Sequence, residues 1–160
     1  MAGLGHGGMT PVVRTTAGWM KGFILVFGLY IVAYGHLTPG GGFAGGVILA
    51  LAFVMLVLAG GRERLPRILS LELVAELDSI GGLIFLGIAM LGMLPGLGGV
   101  FFNNFVVKSL HIGTPFHVVS AGIIPLCNIS IAIKVASSLF LLFMLLILLR
   151  GVYTQEDTRA

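Results

Sequence analysis

Four long apolar stretches, separated by short polar breaks, take up most of this 160-residue chain and leave it few possible folds. A helix needs about 20 apolar residues to cross a hydrocarbon layer about 30 Å thick. The stretches fall at about residues 16–34, 43–60, 73–95 and 127–149, the third starting at Leu73 or as late as Ser79. The fourth belongs to a longer run, Val118 to Leu149, which Pro125 divides into a short lead-in and a spanning helix, because proline removes an internal hydrogen bond. Composition points the same way. Hydrophobic residues make up 58% and charged residues 9%, against roughly 25% charged in globular domains, and mean hydropathy is +1.11. The expectation is an all-α integral membrane protein with four transmembrane helices, forming one membrane domain over residues 1–160.

Basic residues set the expected orientation. Arg14 and Lys21 flank the first span, Arg62, Arg64 and Arg67 follow the second, and Arg150 and Arg159 follow the fourth, all on one side. Lys108 alone marks the opposite side. The positive-inside rule places both termini in the cytoplasm, with Trp19 and Lys21 as interfacial anchors. The net charge of +3 is sparse and local, which excludes a nucleic-acid surface, and the single cysteine, Cys127, excludes an internal disulfide. The first 13 residues lack the compact apolar core of a cleaved signal peptide.

Between the first two spans lies GHLTPGGGFAGG, Gly35 to Gly46. Pro39 blocks helical continuation, Gly40, Gly41 and Gly42 allow a tight outer turn, and Phe43, Gly45 and Gly46 open the next helix. Gly42, Gly46 and Ala50 recur every four residues, a small-residue face on which another helix can pack closely. A phosphate-binding loop is excluded, because no strand precedes the glycines and no Gly-Lys-Ser/Thr follows them.

Lys134 lies inside the fourth span, where a lysine costs at least ~2.5–3.5 kcal/mol near the membrane centre and marks a functional site by default. It precedes Arg150 by 16 residues, about 24 Å of helix, which puts it in the outer half of the bilayer. Two readings follow: the amine snorkels to the outer surface, or it meets an internal polar partner. Cys127, Ser130, Lys134, Ser137 and Ser138 share one helical face, which favours a partner. The serines can also bond to carbonyls one turn back, and Asn128 is expected to cap backbone freed by Pro125. All six carboxylates, Glu63, Glu72, Glu76, Asp78, Glu156 and Asp157, fall at or beyond the cytoplasmic ends. None matches the depth assigned to Lys134, so its counter-charge is expected from another subunit or a water-filled cavity.

Glu72, Glu76 and Asp78 form an acidic mouth at the cytoplasmic start of the third span. Either the positive helix N-terminus favours them, or they gather cations or pair with a neighbouring subunit. His36, His111 and His117 suit interfacial hydrogen bonding or a proton relay. Their spacing with Cys127 matches no zinc signature, so no metal site is assigned. Phe101, Phe102, Asn103, Asn104 and Phe105 suit an aromatic belt or the cover of a partner.

The run Gly35-His36, Pro39, Gly40 to Phe43 and Gly45-Gly46 resembles the signature of the B subunit of Mrp-type multisubunit cation/proton antiporters, MrpB or MnhB. The late stretch Ile-Pro-Leu-Cys-Asn-Ile, leading into Lys134-Val135, is similar to the version in Mrp-like modules of membrane-bound hydrogenases and sulfane sulfur reductases. The Phe-Asp-x-Gly-Val-Tyr type of segment expected in antiporters proper is missing, which points to the respiratory branch. The resemblance implies an accessory, non-catalytic subunit that helps form a Na+ or H+ path. Other Mrp-type subunits would be its partners, and any Fe-S or Ni-Fe centres would sit in hydrogenase or reductase subunits rather than in this chain. A subunit of a free-standing antiporter and a self-contained small transporter are the alternatives, although no interrupted inverted repeat supports the latter. A membrane enzyme is disfavoured because no nucleophile-base pair or metal set occurs.

Overall fold

The computed structural model describes residues 10–60, 70–95, 99–104, 106 and 121–157. Among them are four helices: α1 (Pro11–Ala33), α2 (Gly41–Gly60), α3 (Leu71–Leu91) and α4 (Ile124–Asp157). Each contains a segment long and apolar enough to cross a membrane. The chain is an all-α membrane protein. Arg62, Arg64, Arg67, Arg159, Lys108, Glu63, Phe105, His111 and His117 lie outside the described residues.

Local chemistry explains where the helices start. Pro11 occupies the first turn of α1, where its missing N–H needs no partner. Ser70 caps α3 by accepting a hydrogen bond from the Leu73 amide at 3.3 Å, with Glu72 in the first turn. At α4 the structure corrects the expectation of a proline break. The helix begins at Ile124, so Pro125 sits inside its first turn and opens the helix instead of interrupting it. The helix also runs past Leu149 to Asp157. α2 begins at Gly41, two residues earlier than expected, after a turn over residues 34–40.

Close approaches at glycines fix how the helices run against one another. A Cβ on Gly28 would meet Leu49, and one on Gly45 would meet Val32, so α1 and α2 are antiparallel. Gly42 lies on Asn128 and Gly46 on Ala132, a constant offset that makes α2 and α4 parallel. α3 runs antiparallel to α4, with Gly81 against Lys134 and Val74 near Phe140 and Met144. The start of α1 and the end of α4 therefore share one end of the bundle.

Val57, Val74, Phe140 and Met144 form the buried cluster, and the Phe53 and Phe140 rings meet edge to face at 6.1 Å. Large apolar side chains nevertheless cover the outside, including Trp19, Phe23, Val26 and Leu83. That apolar exterior suits lipid, since lipid gives no hydrophobic reason to hide it.

Candidate functional site

Gly81 is the midpoint of α3. A Cβ there would stand 2.8 Å from the Lys134 amide nitrogen and 3.1 Å from its Cα, so only glycine lets the two backbones come this close. The contact sets the level of Lys134, about 15 Å from either end of α3. Lys134 therefore stands level with the midpoint of a helix about as long as the hydrocarbon core is thick. Arg150 is a poor marker of its level because α4, antiparallel to α3, continues past the start of α3.

From that level the Lys134 side chain runs toward the start of α3. Its Nζ donates to Asp78 Oδ1 at 3.1 Å and to Oδ2 at 3.0 Å. Ser138, one turn on in α4, donates to Asp78 Oδ1. Two expectations are corrected here. Lys134 does not snorkel to the outer surface, and its counter-charge comes from its own chain. Asp78 belongs to this node and not to an acidic mouth, because it sits two turns inside α3, where the antiparallel register brings it level with Ser138. Glu72 and Glu76 remain exposed nearer the start of α3.

The rest of the polar stripe divides. Ser130 is fully buried and bonds to the Cys127 carbonyl at 2.9 Å. Ser137 bonds to the Ile133 carbonyl at 2.5 Å and the Lys134 carbonyl at 3.2 Å. Both hydroxyls are satisfied within α4. Of the serines on this face, Ser138 alone reaches the carboxylate. The pair stays open on one side, the Lys134 side chain being 49% and that of Asp78 27% exposed.

Asn128 has a different place from the one its sequence position suggested. It lies against the glycine turn: its Nδ2 is 2.9 Å from where a Gly35 Cβ would stand, its Oδ1 is 3.4 Å from that of Gly41, and its Cα is 2.8 Å from that of Gly42. Gly41 has φ +59°, a left-handed conformation suited to glycine. Gly46 continues this seam on Ala132 and Val135, while Gly45 faces α1. Gly40, in the turn, is close to Ala44 and Ile31. Pro39 and Phe43 point outward and His36 is half-buried in the turn. Asn128, level with this turn, is about 9 Å along α4 from Lys134.

Asn104, read from the sequence as part of an aromatic belt or partner cover, has an internal role that the sequence did not show. Asn104 donates to the Ala121 carbonyl at 3.3 Å and accepts from the Ile123 amide at 3.2 Å, clasping the segment after α3 to the start of α4. Phe102 folds back onto Phe85 of α3 with ring centroids 5.4 Å apart. An open apolar groove of about 590 Å³ lies elsewhere, lined from all four helices by residues including Leu29, Phe53, Leu77 and Ile133.

A family described as "Domain related to MnhB subunit of Na+/H+ antiporter" matches residues 12–141. MJ1307 of Methanocaldococcus jannaschii, itself uncharacterised, is 34% identical over 137 residues, covering 84% of this chain and 51% of that protein. In Staphylococcus aureus (strain Newman), mnhB2, provisionally named an antiporter subunit, is 38% identical over 61 residues, covering 38% of this chain and 43% of its own length. The chain thus spans about half the length of the curated relatives it matches. With its matched region reaching from α1 into α4, the chain belongs to the MnhB-related family and is a multi-pass protein of the cell membrane.

Proposed function

We propose that this chain is an accessory, non-catalytic subunit of a multisubunit respiratory complex with an Mrp-type Na+/H+ antiporter module, and that the Asp78–Lys134–Ser138 node lies on its ion path. The observation that carries this reading is a part-exposed ion pair between two helices long and apolar enough to span a membrane, two turns inside α3. Ionisable groups at that depth face protein or water and mark ion pathways. A carboxylate shared between one lysine and one hydroxyl can change partner as a cation or proton passes, whereas an apolar pair would serve packing equally well. The similarity to a named antiporter subunit supports the module. The Ile124 to Ile129 stretch supports its placement in a hydrogenase or sulfur reductase, whose Fe-S and Ni-Fe chemistry partner subunits would hold.

The test combines purification with transport. The native complex should co-purify with antiporter-like and iron-sulfur subunits. The doubly neutral Asp78→Asn/Lys134→Met variant should assemble yet lose cation/proton exchange in vesicles. Full exchange by that variant removes the node from the path.

A further inference from the structure

The Lys134 ammonium carries three N–H donors, and two of them go to Asp78. Among the described residues no third acceptor is present, and the side chain is 49% exposed. The opening lies away from the apolar groove. Leu77 and Ile133 line that groove, whereas Asp78 and Lys134, each about 100° further round its helix, do not. Gly82 borders the lysine stem, and a Cβ there would stand 3.8 Å from Cδ and 3.9 Å from Nζ, an ordinary contact. The surface beside the amine is therefore low and unobstructed.

Besides water, three kinds of neighbour could meet this opening within the membrane. Lipid tails have no acceptor, and a polar group left unsatisfied in hydrocarbon is costly. The start of α3 is about 10 Å along the helix from Asp78, where the amine sits, beyond contact distance of a headgroup at that end. A membrane-spanning segment of another protein can bring an oxygen to this level.

We infer that the flank of α3 and α4 beside Gly82 and Lys134 is an interface for a transmembrane helix of a different subunit, one that presents a carboxylate or carbonyl oxygen to the lysine. Charge complementarity selects this occupant: after Asp78, the outward-facing donor is cationic. The inference rests on the proposed membership of a larger complex and adds to it the face, the depth and the chemistry of one contact.

Photo-crosslinking within the purified whole complex tests it. A benzophenone amino acid replaces Gly82 in one preparation and Leu86, one turn along α3, in another, so that a folding failure at one site leaves the other. Phe23 on α1, 72% exposed, serves as a reference position. The expected result is an adduct from position 82 or 86 to a membrane helix of another subunit, within a turn of an Asp, Glu, Asn, Gln, Ser or Thr. Adducts only to lipid or to a second copy of this chain, or no adduct at either site, overturn the inference. A purified complex that lacks antiporter-like subunits instead overturns the proposed function.

Discussion

Replacing Gly46 by alanine adds one carbon where α2 presses on α4. The new Cβ would stand 2.9 Å from the Ala132 carbonyl oxygen, 2.9 Å from Val135 Cβ and 3.1 Å from Ala132 Cα, where ordinary contact begins at 3.4 Å. None of these atoms is the free end of a flexible side chain. α2 must then withdraw along the whole seam, and overpacking of this kind costs about 1–3 kcal/mol. Alanine also favours the helix over glycine by about 1 kcal/mol, which would hide part of the clash. Gly87→Ala supplies the correction, because nothing lies within 4 Å of its added Cβ. The stability difference between the two variants isolates the clash, and about 1–3 kcal/mol corresponds to roughly 5- to 150-fold in the unfolding equilibrium. An SDS titration in mixed micelles, followed by circular dichroism, measures it. Equal midpoints for Gly46→Ala and Gly87→Ala would refute the close α2–α4 packing.

Asn104→Ala removes two hydrogen bonds that hold the start of α4, worth about 0.5–1.5 kcal/mol each. Hydrogen exchange should speed up at the Ile123 amide and stay unchanged near Phe140. Ser70→Ala should destabilise the first turn of α3 by about 1 kcal/mol, seen as faster exchange at Leu73.

Why four helices could be read from the chain, and their main charge contact could not, follows from the range of the forces involved. An apolar run long enough to span a bilayer announces itself locally, as α2 does, and the every-fourth small residues Gly42, Gly46 and Ala50 mark a close-packing face within one helix. The depth of Lys134 is a matter of register between two helices. It depends on Gly81 meeting the Lys134 backbone across a long sequence separation, and nothing near Lys134 encodes that meeting. Taking Arg150 as the membrane edge moved the lysine outward, since the extension of α4 to Asp157 has no apolar signal. Pro125 illustrates a similar ambiguity, because a proline that breaks a helix and one that begins it look alike without the flanking turn. Asn128 packs on the glycine turn and Asn104 bonds to the segment before α4, so neither role shows in local sequence.

A double-mutant cycle on Asp78 and Lys134 addresses the core of this account most directly. Asp78→Asn leaves the lysine charge alone, Lys134→Met leaves the carboxylate alone, and the double variant removes both. Removing one member of a fully buried ion pair costs about 3–5 kcal/mol, whereas neutralising both is often tolerated; for this part-exposed pair the cost is smaller but has the same sign. Thermal stability of the assembled complex should therefore fall in each single variant and recover in the double. Losses that simply add, with the double variant worse than either single, would mean that the two charges do not meet in the membrane.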